Sequence, residues 1–412
     1  MENSMTYLFQ EEQNIDAFGR GRVSMPYTLG DYKHLYGLDP NFIDYSVSGG
    51  AVAFQENKTC ARLSTTSNSS SRIVHQTKFY HHYMPGKSQV ILSSFNFYTA
   101  TANTIKRTGY FDDNDGIFLE QAGDGTLSWV IRSFVTGAPV ERRFTQSQWN
   151  KDQCDGTGPS AFNIDITKTQ LAWIDFQWLG VGRVRCGFVH DGEYVFAHEF
   201  NNSNNLATVY MSNPNLPVRC ELVNTGTTAG AYFDQICSTV LSEGGYVEAG
   251  QDWAVSNTPR LLTSGSTSPI MAIRLKNTFR SYKNRMIVRM GNLNMFSDGE
   301  NIKWRLIKLS NTSQLTETTW TDVDADSGVQ YNVDATEFTG GDEIDNGWVG
   351  ASTQGSQKAG GSPGSNLPSS AKKNYIVQNY DSTDSEIYVV VATNLGAQNT
   401  NVGVGMQWRE IY

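Results

Sequence analysis

No stretch of this chain places apolar residues at i, i+3, i+4 and i+7 over three turns, so no amphipathic helix can be drawn through it. Short runs of alternating apolar and polar residues recur instead, parted by Gly, Asn, Asp and Ser. That pattern is the signature of antiparallel sheets stacked as sandwiches or closed as barrels. The clearest unit spans residues 184–200, where Asp191-Gly192 parts two β-rich arms. A two-residue Asp-Gly loop calls for a type I′ turn, with positive φ at both positions. The turn predicts the register: His190 opposite Glu193, Phe188 opposite Val195, Cys186 opposite Ala197 and Arg185 opposite His198. One face then carries Val184, Cys186, Phe188, Val195 and Ala197, and reads as sandwich core. The other carries Arg183, Arg185, Val189, Tyr194, Phe196, His198 and Phe200. Rings mixed with arginine stems mark either a second core under a covering loop or a subunit interface. Arg183, Arg185, Tyr194, Phe196, His198 and Phe200 are therefore the candidate interface residues.

Further strands are predicted at 89–97, 116–120, 127–134, 171–179, 218–224 and 231–241. After Gly244-Gly245 the composition loosens, and Ser264-Gly265-Ser266-Thr267-Ser268-Pro269 reads as linker. A second set follows at 270–276, 286–290, 302–309, 329–333, 387–393 and 402–412. In the last of these Val402, Val404, Met406 and Trp408 share one face, which must be held in a sheet. The expected fold is all-β: a jelly-roll-like antiparallel β-sandwich followed by a second, smaller antiparallel β-domain, with an extended N-terminal arm. Residues 1–50 are that arm or the first edge strands, 51–245 the sandwich, 246–269 the linker. Residues 270–412 are the second sandwich or barrel, with a Gly/Ser-rich loop at 350–371.

The composition fits such a chain. Of 412 residues, 39% are hydrophobic, 12% aromatic and only 18% charged, below the usual quarter or so. A net charge of -9 with no dense basic cluster argues against nucleic acid as partner. Arg183 and Arg185, the adjacent Arg142 and Arg143, and Lys372 and Lys373 read as solvated surface. The five cysteines are odd in number and show no CxxC spacing, so neither a zinc site nor a disulfide framework is expected. Reduced, buried thiols fit synthesis in a cytoplasm. No basic n-region or apolar h-region follows Met1, and no apolar run nears the roughly 20 residues a membrane crossing needs. Neither a signal peptide nor a membrane partner is expected.

Catalytic and metal chemistry finds little footing. The acidic run Asp112-Asp113-Asn114-Asp115-Gly116 would put Phe111 at the first position of an EF-hand and Ala122 at the twelfth, so it reads as an acidic turn. A non-EF cation site there stays open. No strand alternates acids as a glycosidase pair requires, and Asp322, Asp324, Asp326, Asp342, Glu343 and Asp345 lie beside turn residues. His81 and His82 are adjacent and would point to opposite faces of a strand. No nucleophile elbow, phosphate loop or dinucleotide loop occurs. No catalytic residue, cofactor or metal is expected. Trp129, Trp149, Trp173 and Trp178 are either core or a platform for sugars.

Several strings, in order, carry a likeness. They are Phe18-Gly19-Arg20-Gly21-Arg22-Val23-Ser24-Met25-Pro26-Tyr27-Thr28-Leu29, Pro85-Gly86-Lys87-Ser88-Gln89-Val90 and Gly109-Tyr110-Phe111-Asp112-Asp113-Asn114-Asp115-Gly116-Ile117-Phe118. Then come Asp155-Gly156-Thr157-Gly158-Pro159-Ser160, Leu179-Gly180-Val181-Gly182-Arg183-Val184-Arg185 and Tyr210-Met211-Ser212-Asn213-Pro214-Asn215-Leu216-Pro217-Val218-Arg219. Phe338-Thr339-Gly340-Gly341 and Trp408-Arg409-Glu410 complete the set. Together they resemble β-rich virion structural proteins of tailed bacteriophages, above all marine ones. The resemblance implies a non-enzymatic particle component, a head decoration, head fibre or tail piece, made in the host cytoplasm and residing in the virion. It implies as partners copies of itself, with a homotrimer as the expected form, and other virion proteins such as capsid or tail proteins. A host surface glycan is the further partner if the chain belongs to a tail fibre. The group is recognised by turn and strand residues, so the resemblance supplies no catalytic residues.

Overall fold

The computed structural model describes residues 25–316, 319–350 and 375–412. Two compact units meet at Val247 and Glu248. Both are all-β, and the only helical elements among the described residues are three short 3-10 turns at Glu56–Lys58, Gln146–Gln148 and Thr312–Gln314.

The first unit is a jelly-roll-like sandwich of two antiparallel sheets. In spatial order the eight-stranded sheet runs Glu193–Phe200, Val184–His190, Gln170–Phe176, Ser88–Asn96, Tyr232–Glu243, Cys60–Ser64 and Ala51–Gln55. Its eighth strand, Tyr27–Lys33, also pairs with Tyr232–Glu243. The seven-stranded sheet runs Val140–Thr145, Leu127–Ser133, Gly116–Gln121, Thr104–Phe111, Val218–Asn224, Arg72–Thr77 and Phe42–Val47. Alternation sets which side chains meet between the sheets. Ile91 and Phe95, Ile174 and Phe176, and Val184, Cys186 and Phe188 point inward from one sheet. Ile117 and Leu119, Trp129 and Ile131, and Val218, Cys220 and Leu222 point inward from the other.

The second unit is again a sandwich. A six-stranded sheet runs Thr321–Asp322, Val329–Asn332, Thr267–Leu275, Ile387–Asn394, Ile302–Leu309 and Asp342–Val349. Its five-stranded partner centres on Thr400–Ile411 and Ile287–Ser297. Val402, Val404, Met406 and Trp408 face the core as their alternation predicts, at 2% exposure or less.

Two boundaries differ from the expectation. Residues 246–269 are not a linker: Gln251–Ser256 and Arg260–Leu262 lie alongside Thr400–Ile411 as ladder strands. Edge strands need only one half-buried face, here Trp253 and Val255, so their apolar signal is thin beside Gly, Ser and Pro. Within 1–50, Tyr27–Lys33 and Phe42–Val47 are edge strands of the first sandwich, while residues 1–24 lie outside the described residues. Of the 350–371 loop, only Gly350 is described.

Candidate functional site

The 184–200 hairpin forms with Asp191 at φ 49° and Gly192 at φ 83°, as a type I′ turn requires. His190 faces Glu193 and Phe188 faces Val195. Beyond that the register slips by one: Gly187 pairs with Phe196, Cys186 with His198 and Arg185 with Glu199. Ala197 is the extra residue of a β-bulge, which no turn residue announces. The slip moves two of the six candidate interface residues to the other side of the sheet. His198 and Phe200, each 3% exposed, enter the sandwich and pack on Phe144 of the opposite sheet. The amide of Asn150 donates to His198 Nδ1 at 3.3 Å. Burial, with Arg142 nearby, depresses the His198 imidazole to about 4.

The other four stay on the outer face of the eight-stranded sheet. Arg185 forms an ion pair with Asp175, both 1% exposed or less, and its guanidinium lies 5.4 Å from the Phe196 ring. The rings of Tyr194 and Phe196 stand edge-on to Trp173. Arg183 approaches Glu199 at 3.6 Å. The solvated reading of Arg185 therefore fails, because a carboxylate two positions before Gln177 on the neighbouring strand receives it.

A larger array, not foreseen from the sequence, covers the outer face of the seven-stranded sheet. Glu221, Arg107 and Glu120 are consecutive cross-strand neighbours. Arg107 bridges the two acids, with Nε 2.8 Å from Glu120 and Nη1 3.2 Å from Glu221. On one side Arg72 reaches Glu221 at 2.6 Å, and Asp113 takes both Arg72 and Arg219 at 2.8 Å. On the other side Glu120 receives Arg143 at 2.8 Å, and Glu141 links Arg143 to Arg132. Beneath lie Phe111, Phe118 and Val130, all fully buried. Arg107, Arg132 and Arg219 stack over the two rings at 5.0 to 5.6 Å. Burial by itself would push the Glu221 carboxyl up, but Arg107, Arg72, Arg219 and Arg132 outweigh it and hold it at about 2. The signal was partial: Glu120 and Glu221 alternate with the apolar Ile117 and Leu119 and Cys220 and Leu222, whereas Arg107 and Arg72 share their strands with buried polar residues. Arg142 and Arg143, read together as solvated, point to opposite faces, Arg142 to Asn202 and Arg143 into the array.

The acidic turn is part of the same array. The Asp112 carboxylate accepts the amides of Asn114 and Asp115, while Asp115 is spent on Phe134 and Ser212. Burial raises the Asp115 carboxyl. Among the described residues no group of three or more His, Cys, Asp or Glu is disposed to hold a metal. No helix of the described residues is long and apolar enough to cross a membrane. Trp129 and Trp149 are core residues and Trp173 is 1% exposed, so three of the four tryptophans offer no platform for sugars.

No family model matches this chain, and no curated protein matches it. Solved structures with some likeness include a protein of unknown function from Shewanella oneidensis, at TM-score 0.35 and 8% identity, covering 56% of this chain and 92% of that one. A Bacteroides ovatus mixed-linkage glucan GH16 protein in complex with a product has TM-score 0.35 and 11% identity, covering 52% and 99%. A Bacillus licheniformis β-glucanase has TM-score 0.30 and 11% identity, covering 51% and 97%. The sandwich architecture given above rests on the strand pairing of this chain itself.

Proposed function

We propose that the chain is a non-enzymatic virion structural protein of a tailed phage, an outer capsid decoration or head-fibre component that assembles with copies of itself and with other virion proteins. The observation that carries the reading is the array on the seven-stranded sheet. Arg72, Arg107, Arg132, Arg143 and Arg219 are locked against Asp113, Glu120, Glu141 and Glu221 over buried phenylalanine rings. Arginine and aromatic residues are the types enriched where proteins meet, and a face already held in one geometry loses little side-chain entropy on docking. Glu221 at its centre is a poor catalyst: a carboxyl held at about 2 cannot serve as the protonated general acid of a glycosidase. The ordered strings of turn and strand residues supply the phage context.

A glycan-binding tail component fits less well, since Trp129, Trp149 and Trp173 are buried. The deciding experiment is a reconstruction of the particle that carries this chain, together with light scattering of the purified chain and a reducing-sugar release assay. Density for the chain on the outer shell, a stable homo-oligomer and no sugar release support the proposal. Release of reducing ends that disappears on substituting one acid overturns it.

A further inference from the structure

Three of the chain's six histidines are buried close together in the first unit: His34, His75 and His81, at 0%, 1% and 3% exposure. His34 directly follows the Tyr27–Lys33 strand and opens a loop that ends where Phe42–Val47 begins. The amide of Asp39 donates to its Nδ1 at 3.0 Å. A backbone amide can only donate, so Nδ1 is bare and the ring proton sits on Nε2, where it donates to Gln235 Oε1. One imidazole nitrogen thus closes the 34–39 turn. The bracing continues from there. The Asp39 carboxylate accepts the amides of Lys33 and Asn41, its carbonyl accepts the Phe42 amide, and the Asn41 carbonyl accepts the Lys78 amide. At the tip of this braced loop Tyr36 is fully exposed and Leu35 is half exposed.

The groups around His34 come from four elements. Its own loop supplies Asp39, and Phe42–Val47 supplies Phe42 and Asp44. Arg72–Thr77 supplies His75, whose ring lies 5.5 Å away, and Tyr232–Glu243 supplies Gln235. Tyr32, hydrogen-bonded to His81, lies edge-on to the far side of Phe42. His75 stacks on Phe42 at 4.2 Å and meets Asp44 through Nδ1 at 2.6 Å. Its Nε2 has no hydrogen-bond partner among the described residues.

We propose that His34 is an acid-operated latch: a proton on Nδ1 sets one N–H against the Asp39 N–H, opens the 34–41 loop and loosens the Phe42–Val47 edge strand. An opened edge presents unpaired backbone groups beside the already exposed Leu35 and Tyr36, so acid converts a sealed corner of the sandwich into an adhesive one. Burial is the main cause that lowers the His34 imidazole, so the latch holds at neutral pH and opens below the ordinary histidine range of about 6.5. The proposal is independent of the assembly role given above.

Hydrogen exchange of the full chain, corrected for intrinsic rates and followed downward from neutral pH, tests it. Below the opening point the amides of Asp39, Asn41, Phe42 and Lys78 lose protection by roughly tenfold per pH unit, as a single-proton linkage requires, while Ile131 and Ile174 in the core keep theirs. His34→Asn keeps an acceptor where Nδ1 stood but takes up no proton, and its loop stays protected. The proposal is overturned if the wild-type loop stays closed until global unfolding or if His34→Asn opens with the wild type. Should His34→Asn not fold, the imidazole titration of His34 in the wild-type protein must coincide with loop opening, and a mismatch overturns the proposal equally.

Discussion

Trp173 and Gly187 are direct cross-strand partners, and the indole N–H of the first reaches over the bare Cα of the second to the carbonyls of Phe188 and Val195. A Cβ on Gly187 would stand 1.9 Å from the Val195 carbonyl oxygen and 2.9 Å from Trp173 Nε1. The first of these is backbone and cannot step aside. Gly187→Val should therefore destabilise the first unit by about 1–3 kcal/mol or more, the usual penalty of overpacking. Denaturant unfolding followed by tryptophan fluorescence measures this. An unchanged midpoint would mean that the Ala197 bulge absorbs the added volume.

Arg107 stands between two buried carboxylates, so its removal leaves both without their shared cation. Arg107→Met should cost about 1.5–3 kcal/mol, the worth of its charged hydrogen bonds, because Glu120 keeps Arg143 and Glu221 keeps Arg72. Adding Glu120→Gln and Glu221→Gln to the same chain should restore most of the loss. The acid limb gives a second check. Glu221 is depressed in the folded state to about 2, against about 4.3 unfolded. Its contribution is complete above the unfolded value and is lost as pH falls from there toward about 2. In Arg107→Met the folded value rises toward the unfolded one, so the acid-side loss should be smaller and complete at a higher pH, as acid titrations of stability would reveal.

The contrast between what could be read and what could not follows from where each strand keeps its apolar residues. Val402, Val404, Met406 and Trp408 alternate without interruption, and the structure places all four in the core. Thr104–Phe111 puts Lys106 and Thr108 inward, and Arg72–Thr77 puts His75 and Thr77 inward, so neither shows the alternation that marks a strand. The array escaped notice for a related reason. Arg107, Glu120, Arg143 and Glu221 are far apart in sequence, and only the sheet order makes them neighbours. The Asp191-Gly192 turn was legible because its chemistry is local, whereas the Ala197 bulge, which sends His198 and Phe200 inward, has no local marker.

His198 offers a test of that bulge. Its imidazole is depressed to about 4 by burial, with Arg142 adding to the effect, whereas an unfolded histidine titrates near 6.5. The folded state therefore favours the neutral ring. The associated stability is whole above about 6.5 and declines as pH falls toward about 4. His198→Leu removes the titrating group and should flatten the curve in this window, at some cost at neutral pH from the lost Asn150 hydrogen bond. Were His198 on the outer face, as an unbroken register would have it, the two curves would run parallel.

Burial acts on Lys106 in the same direction, at the alkaline end of the pH scale. Its ammonium group lies inside the sandwich at 1% exposure, donating to the carbonyls of Phe97 and Thr99. Carbonyl dipoles alone do not repay the desolvation of a full charge, and burial lowers the lysine to about 8. Unfolded, it titrates near 10.4, so below about 8 both states carry the proton and the folded state bears the whole penalty. Stability attributable to this residue should then rise as pH climbs from about 8 to about 10.4, where most proteins lose it. Lys106→Met keeps the aliphatic length without the charge. It should be more stable than the parent at neutral pH and should lack the alkaline rise, both readable from thermal midpoints across the pH series. A variant less stable than the parent at neutral pH would mean that the two carbonyl bonds outweigh the buried charge.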